Sequence, residues 1–390
     1  MFSDIRKRSG QFLLLCAGIV VAGEVCLGLF NFPDVVNRSF PVYVPHSRYH
    51  HFHKPHGLYI QRTRENGAVR ERFMRFDAEG LRDRSPKPGL PQVLFIGDSM
   101  VEGMGVGLNE LFASRVEDLL GNVDVKNVSC SSWSPLNYYM WISENIAQLA
   151  GYKAVYLFYF PNDPYNTISY LEDADDPSDP DGVTFAHYVR SSAAKEGNLY
   201  QRWLREHSRI YSLLFYIKVE FRRQRELRAK PTMPVRVLVP PQDIHNSQGF
   251  ESLFVGVRSE RQRKAVALDS YYIGKIQGLL AKHDLKLSLV YVPLAQQVGF
   301  DENAGIFPPY TEESRQIIYE SNVFQDHLSR LAAQSGFTFI DLKPALREYK
   351  SHNSILLYNE RDLHFSTAGH AAVAQILAPV IMADLYGRDR

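Results

Sequence analysis

Short apolar runs alternate with longer helical patterns from residue 93 to the end of the chain. The apolar runs are rich in β-branched residues and lie at 93–96, 123–128, 153–160, 285–292 and 337–341. The helical patterns lie at 109–121, 135–150, 260–283, 312–335 and 366–386. Strands that are separated by helices of this length pair in parallel, and the helices cover both faces of the sheet. The pattern therefore predicts a parallel sheet inside a three-layer α/β/α sandwich.

An insertion interrupts the alternation at about residues 165–260. It opens with an acidic loop at 172–181 and continues with a basic amphipathic helix at about 198–230. Such a helix packs on the domain with its charged face in solvent, caps an active site or lies against an anionic surface, and the sequence leaves these alternatives open. With the insertion set aside, the elements have the order of a flavodoxin-like fold.

The first apolar run ends in a serine. The run at 93–96 is followed directly by Gly97, Asp98 and Ser99. A strand that ends in this way places the Ser99 hydroxyl at the carboxyl edge of the sheet, where open α/β sheets carry their chemistry. Ser99 is therefore a candidate nucleophile, provided that a base and oxyanion donors reach it.

A candidate base lies near the C-terminus. Asp362 and His364 are separated by one residue and directly precede the last helical pattern. On an extended or turn segment, side chains two residues apart point to the same side. The Asp362 carboxylate can then accept the Nδ1 proton of His364 and fix its tautomer, which leaves Nε2 to accept the proton of Ser99.

Candidate oxyanion donors follow the second and third strands. Asn162 comes directly after the run at 153–160, at the same sheet edge as Ser99, and its side-chain amide can donate there. The loop at 127–133 follows the second strand, and its backbone N–H groups can donate together with the N–H of Ser99. Loss of one such donor costs about 3 kcal/mol of transition-state stabilisation.

In their order and strand-end placement, these motifs resemble the SGNH hydrolases, also called the GDSL esterase/lipase family. The motifs that carry the resemblance are Gly97-Asp98-Ser99 as block I, Asn162-Asp163 as block III and Asp362-Leu363-His364 as block V. The resemblance runs from about residue 93 to residue 385, outside the insertion. It implies a catalytic triad of Ser99, His364 and Asp362. It also implies an oxyanion hole formed by the N–H of Ser99, the side chain of Asn162 and a block II glycine.

The chain departs from the family pattern at two places. Ser132 stands where the family has the block II glycine. Its backbone N–H can still donate, although a positive φ there would cost serine about 1 kcal/mol. Many members have two residues between the aspartate and histidine of block V, and this chain has one. That spacing is similar to the branch that includes alginate O-acetylation proteins, and this similarity implies an acylated carbohydrate substrate.

The N-terminus has the pattern of a membrane anchor. Basic residues at 6–8 precede an apolar run from about Phe12 to Phe30, which Glu24 alone interrupts. Nineteen residues of helix span roughly 28 Å, about the thickness of a bilayer core. The basic flank predicts a cytosolic N-terminus, so the remainder of this single-pass protein would be periplasmic or extracellular. A cleaved signal peptide, or a lipoprotein signal at Cys16, is the alternative.

The domain boundaries follow from these patterns. We expect a cytosolic tail at 1–8, an anchor at 9–30, a juxtamembrane segment at 31–90 and the hydrolase-like domain at 91–390. The juxtamembrane segment contains five closely spaced histidines, interpreted as part of a solvated linker rather than a metal site: His46, His50, His51, His53 and His56. The turn at 76–83 is expected to dock onto the domain.

Composition excludes some partners and indicates no cofactor. The 390-residue chain is 45% hydrophobic and has a formal net charge of +1, which gives no reason to expect a nucleic-acid partner. Its three cysteines imply no disulfide framework. Neither a metal nor an organic cofactor is required by a triad mechanism.

The predicted function is that of a membrane-anchored, extracytoplasmic serine esterase that acts on acyl, and chiefly acetyl, esters of carbohydrate or glycan. The same triad would serve an O-acyltransferase on envelope polysaccharide or a lipid esterase. An SGNH fold retained as a non-catalytic assembly module, with partners in polysaccharide modification, is a further alternative. Near the mouth of the site, Trp133 and Tyr165 are either packing residues or a surface for stacking a sugar ring.

Overall fold

The computed structural model describes residues 2–29, 42–65, 68–195, 250–299, 312–359 and 363–387, together with eight positions between 204 and 217. The N-terminal part contains one long helix and two antiparallel β-hairpins. Its elements are α1 (Phe2–Leu29), β1 (Tyr43–His46), β2 (His50–His53), β3 (Leu58–Glu65) and β4 (Ala68–Arg75). β1 pairs with β2, and β3 pairs with β4.

A parallel sheet of five strands forms the centre of the domain. Its strands are β5 (Gln92–Gly97), β6 (Asp124–Ser129), β7 (Tyr152–Tyr159), β8 (Lys286–Tyr291) and β9 (Thr338–Asp341). They lie in the order β6-β5-β7-β8-β9, and every neighbouring pair is parallel. This is the doubly wound order of flavodoxin, with its switch point between the first and third strands. The predicted parallel α/β sheet is confirmed, and each observed strand overlaps a predicted apolar run.

Helices cover the sheet in two layers. They are α2 (Ser99–Glu102), α3 (Phe112–Leu120), α4 (Pro135–Asn145), α5 (Asp163–Glu172), α6 (Ala186–Lys195), α7 (Glu260–Ala281), α8 (Ala295–Val298), α9 (Glu312–Glu320), α10 (Val323–Ser335), α11 (Leu342–Asn353) and α12 (Thr367–Tyr386). α3 packs against α12, and α4 and α5 pack against α7. The core contains all five strands and the apolar faces of these helices.

The predicted helix at 312–335 is two helices, α9 and α10. The break lies at Ser321, whose carbonyl accepts hydrogen bonds from Gln297 Nε2 at 3.2 Å and Lys343 Nζ at 2.8 Å. Its hydroxyl donates to the carbonyl of Phe254 at 2.7 Å. These tertiary bonds replace the helical bonds that a continuous helix would make at this residue.

The predicted linker character of residues 31–90 is wrong for the part that the structure describes. Tyr49, Phe52 and Leu81 belong to the main core, and His50 and His53 are buried. The solvated interpretation therefore fails for His50 and His53, whereas His56 is exposed. Strands of four residues are too short for a clear period-two pattern, and polar residues occupy most of the buried positions of β2, so local sequence patterns do not predict this burial. The expected docking of the turn at 76–83 agrees with the burial of Phe76 and Arg82.

Among the described residues, α12 is the one helix long and apolar enough to cross a membrane. Leu377 and Ile381 of this helix are fully buried in the domain core, so α12 is a core helix. The described apolar stretch of α1, Leu14–Leu27, is shorter. The anchor at 9–30 stays a prediction. The predicted basic helix at 198–230 lies largely outside the described residues.

Candidate active site

Ser99 lies at the switch point of the sheet. It is the first residue of α2, directly after β5, and Asp98 caps this helix by accepting a hydrogen bond from the N–H of Met100 at 2.9 Å. The turn into α2 is so close that a Cβ on Gly97 would lie 2.3 Å from Val101 Cγ2. Only glycine fits there, and the tight turn leaves Ser99 nearly buried at the carboxyl end of the strand.

Asn162 follows the neighbouring strand at the same edge. Ile96 of β5 pairs in register with Leu157 of β7, so the residues after both strands emerge side by side. Asn162 is half-buried and precedes the first residue of α5. Its Oδ1 is buried and accepts no hydrogen bond from the part of the chain that the structure describes. The side chain is therefore not committed to a structural acceptor role.

The loop after β6 carries Ser132 in a left-handed conformation, with φ at 65°. Gly97 pairs with Ser129, which brings this loop to the edge beside Ser99. The hydroxyl of Tyr170 donates to the carbonyl of Ser132 at 2.7 Å and holds the peptide in place. The positive φ that the family glycine would favour is thus present, and serine occupies it at a cost of about 1 kcal/mol.

His364 lies on a segment that is bonded to the rest of this edge. The N–H of Asn359 donates to the carbonyl of His364 at 2.9 Å, and Tyr358 pairs with Phe365. The hydroxyl of Tyr358 donates to the carbonyl of Pro293, just after β8, at 2.7 Å. Because β8 is the neighbour of β7, these bonds place His364 near the carboxyl ends of the central strands.

The segment that carries His364 ends at the N-terminus of α12, and Gly369 lets this helix lie close to the backbone of Leu357. The side chain of Ser366 caps the helix by accepting from the N–H of Gly369 at 3.2 Å. A Cβ on Gly369 would lie 1.9 Å from the carbonyl oxygen of Leu357. Asp362, the predicted carboxylate of the triad, lies outside the described residues.

Asp98 connects the nucleophile and base segments electrostatically. Burial raises the pKa of its carboxyl to about 6, whereas the hydrogen bond from Met100 and the charge of His364 lower it. His364 is therefore near enough to Asp98, the residue before Ser99, to interact with it electrostatically. Sequence reasoning treated Asp98 only as part of a motif.

Two further buried carboxyls, those of Asp163 and Asp269, lie behind this edge, and the sequence analysis did not identify their burial. Burial and the charges of Asp98 and Asp269 raise the pKa of Asp163 well above its ordinary value. Burial also raises the pKa of Asp269 to about 7, although Thr167 and Tyr159 donate hydrogen bonds to its carboxylate at 2.5 and 2.9 Å. Burial thus favours the neutral form of Asp163, beside Asn162. Its position in the Asn-Asp pair was the available signal.

Trp133 does not line a substrate surface. It is fully buried, its ring stacks on Phe52 at a centroid distance of 5.1 Å, and its Nε1 donates to the carbonyl of His51. The sugar-stacking interpretation of Trp133 is therefore wrong, because no face of the ring reaches solvent. Tyr165 is half-buried, within hydrogen-bonding distance of Ser252 and Gln262, and the proposal for that residue is untested.

No protein-family profile and no curated protein sequence matches this chain. Several solved structures show a distant similarity. The acetyl xylan esterase AlAXEase is 12% identical with a TM-score of 0.38, over 74% of this chain and 99% of that one. LAE5, an alpha/beta hydrolase enzyme from the metagenome of Lake Arreo, Spain, is 12% identical with a TM-score of 0.36, over 77% and 97%. Axe2, an acetylxylan esterase from Geobacillus stearothermophilus, is 13% identical with a TM-score of 0.37, over 77% and 97%. Similarities this distant do not identify the activity of the chain.

Proposed function

We propose that this chain is a serine esterase of the SGNH type. Ser99 is the nucleophile, His364 the general base and Asp362 the carboxylate that orients it. The N–H groups of Ser99 and Ser132 and the side chain of Asn162 form the oxyanion hole. The observation that carries the proposal is the convergence of the Ser99, Asn162 and His364 segments at one edge of the sheet, at its switch point.

The chemistry follows from these roles. Nε2 of His364 accepts the proton of Ser99 as its oxygen attacks the ester carbonyl, and the oxyanion forms among the three donors. The imidazolium then protonates the leaving alcohol, and an acyl-enzyme remains on Ser99. Water, activated by the same imidazole, attacks this ester and releases the acid. The cycle returns every proton and consumes no cofactor.

The proposed substrate is an acetylated carbohydrate of the cell envelope. The one-residue spacing between Asp362 and His364 supports a carbohydrate ester, through its similarity to the alginate O-acetylation branch. A lipid ester is the alternative. The two substrates are distinguished by incubating the purified protein with acetylated xylan or alginate and, separately, with a short-chain phospholipid. Release of acetate supports the carbohydrate ester, and release of fatty acid supports the lipid ester.

A fluorophosphonate probe tests the nucleophile directly. We expect the wild-type chain to become labelled on Ser99, and Ser99→Ala to remain unlabelled while its circular dichroism is unchanged. The matched control is Ser129→Ala, which changes a buried serine at the end of the neighbouring strand β6. It should label like wild type. A folded wild type that neither labels nor hydrolyses phenyl acetate would overturn the proposal.

Hydrolase and acyltransferase share this triad, so the acceptor decides between them. The acyl-enzyme is resolved by water in a hydrolase and by a glycan hydroxyl in a transferase. Incubation with an acetyl donor, with and without an oligosaccharide acceptor, distinguishes the two by whether acetyl groups appear as free acetate or on the glycan. We favour the hydrolase as the simpler reaction.

A non-catalytic assembly module is the second candidate, and one observation favours it. Ser132 occupies a backbone conformation for which glycine is better suited, at an oxyanion position where strain would tilt the donor. If the site is inert, the probe does not label the chain, and Ser132→Gly does not restore labelling.

We also propose that α1 is a membrane anchor and that the domain lies outside the cytosol. Large apolar side chains project outward from the described part of this helix, with Leu14, Ile19 and Val21 each more than 60% exposed. In water such exposure is unfavourable, whereas in a bilayer it is favourable. Alkaline phosphatase fused after residue 390 should be active in intact bacteria. An inactive fusion contradicts the topology.

A further inference from the structure

The hairpin of β1 and β2 contacts both segments that carry the proposed backbone oxyanion donors, helix α2 with Ser99 and the loop with Ser132. We propose that His51 and His53 are positioning residues that fix the separation between the N–H groups of Ser99 and Ser132. This inference rests on the proposed function. The N-terminal segment would then be part of the catalytic apparatus rather than a tether.

His53 holds the nucleophile helix. Its Nε2 lies 3.2 Å from Oε1 of Glu102, and both side chains are completely buried. Glu102 is the last residue of α2, three residues after Ser99, and also accepts a hydrogen bond from the hydroxyl of Tyr43 at 3.0 Å. A helix of four residues cannot maintain itself, so its position depends on such contacts.

The orientation of His53 is itself fixed. Its Nδ1 lies 2.8 Å from the carbonyl of Gly80, and its ring stacks on Phe76 at a centroid distance of 4.0 Å. Because the Gly80 carbonyl and the Glu102 carboxylate both only accept, the His53 ring pairs with both of them when each of its nitrogens carries a proton. Burial alone would raise the pKa of Glu102, but His53, Tyr43 and Arg82 together hold that pKa below its ordinary value.

A buried arginine binds the same C-terminal end of the helix. Arg82 donates from Nη1 to the carbonyls of Glu102 and Gly103 at 2.7 and 2.6 Å, and from Nη2 to that of Val106. These groups follow directly on α2, and Gly103 adopts φ at 73°. The N-terminal segment thus binds α2 through the Glu102 side chain and through the carbonyls at the C-terminal end of the helix.

His51 holds the loop that carries Ser132. Its Nε2 donates to the carbonyl of Ser131 at 2.8 Å, and its own carbonyl accepts from Nε1 of Trp133 at 3.0 Å. These bonds bracket Ser132 on both sides. A serine in the left-handed region remains there only when its neighbours determine the conformation.

The two histidines lie on one side of a single strand. Residues two apart in a strand point to the same face, so β2 presents His51 to the Ser132 loop and His53 to α2. The strand therefore acts as a spacer between two donors that come from different strands of the central sheet. Displacements of an ångström at such a site cost rate with little effect on substrate affinity.

The test measures rate per active site in the full chain in detergent. Fluorophosphonate labelling to completion counts active sites, and phenyl acetate gives kcat and KM. We expect His51→Leu and His53→Leu each to lower kcat per labelled site by about tenfold or more, with KM within about threefold. His53→Gln keeps an amide donor near Nε2, so it should recover most of the loss.

A core variant distinguishes positioning from stability. Leu328→Ala removes a buried side chain of α10 and should lower the folded fraction without changing kcat per labelled site. If the histidine variants behave in the same way, with fewer labelled sites but wild-type kcat, the hairpin is only structural and the inference is overturned. A wild type that neither labels nor hydrolyses overturns the proposed function, and this inference with it.

Discussion

The N-terminal hairpins and the C-terminal base segment differ in how far their roles can be predicted from sequence. The segment with His364 carries a recognisable motif, and the structure ties it to the edge where that motif requires it. The segment at 42–83 has no motif, yet it contains buried polar residues, among them His53 and Arg82. A catalytic role leaves a local pattern because its chemistry needs particular side chains at short spacing. A positioning role leaves none, because its partners lie far away in the chain.

The largest effect should come from the base itself. His364→Ala removes the proposed proton acceptor, so kcat should fall by on the order of 10⁴-fold, as for loss of a triad member. The matched control is His370→Asn, six residues later. His370 is buried, its Nδ1 accepts from the N–H of Phe112 at 3.2 Å, and burial lowers its pKa well below the ordinary value.

Kinetics with phenyl acetate, corrected for labelled sites, check this contrast. The His370 variant should keep kcat within about threefold, because asparagine retains the acceptor and a neutral buried ring moves no proton. Equal losses in both variants would show that the motif histidine is structural.

Arg82 should dominate stability in the N-terminal segment. Arg82→Met keeps an apolar stem but removes the side-chain donor from three buried carbonyls and a cation near Glu102. We expect a loss of about 3–5 kcal/mol in the free energy of unfolding. Arg261→Met is the matched control, since Arg261 and its partner Glu172 are both about half-exposed and their pair should be worth about 1 kcal/mol or less.

Urea unfolding of the two arginine variants, followed by tryptophan fluorescence, measures both values. Because Trp133 stacks on Phe52 of the hairpin, its emission reports on this region. Similar midpoints for the two variants would mean that the segment behaves as the linker that its sequence suggested.

Acid should weaken the hairpin through His51. Burial lowers the pKa of His51 to about 4, whereas the unfolded chain has the ordinary value of 6.5. Between these values the unfolded state binds the additional proton, so the stability is complete above pH 6.5 and is lost as the pH falls towards 4. At pH 5 the loss is about 2 kcal/mol for one such histidine.

Urea unfolding at pH 7 and at pH 5 checks this dependence. The loss on acidification should be smaller in His51→Gln than in wild type by about 2 kcal/mol, because glutamine does not titrate. An identical loss in both proteins would show that His51 reaches water and is protonated in the folded state.

The smallest change in stability is expected at Ser132, in the loop after β6. Ser132→Gly should raise the free energy of unfolding by about 1 kcal/mol, because glycine adopts positive φ without strain. Ser131→Gly is the control, since that residue has no positive φ and should gain nothing. A thermal melt of both variants is sufficient. No gain at Ser132 would mean that its side chain is worth more to the loop than the strain costs.

The prediction of the fold succeeded where hydrophobic periodicity is strong. The five strands and most of the helices around them follow from runs that are buried on both faces, such as 93–96 and 153–160. It failed at Ser321 and at the hairpin strands. There the outcome depends on hydrogen bonds from Lys343 or to Glu102, which no local window contains.

The sequence by itself determined the sheet, the order of its elements and the placement of Ser99 and Asn162 at strand ends, because burial of apolar runs is a local property summed along the chain. Only the tertiary structure decided that the histidines at 50 and 53 are internal, that Ser132 has positive φ and that Trp133 is unavailable to substrate. These features depend on which distant groups satisfy each buried polar atom, and that pairing exists only after the chain has folded.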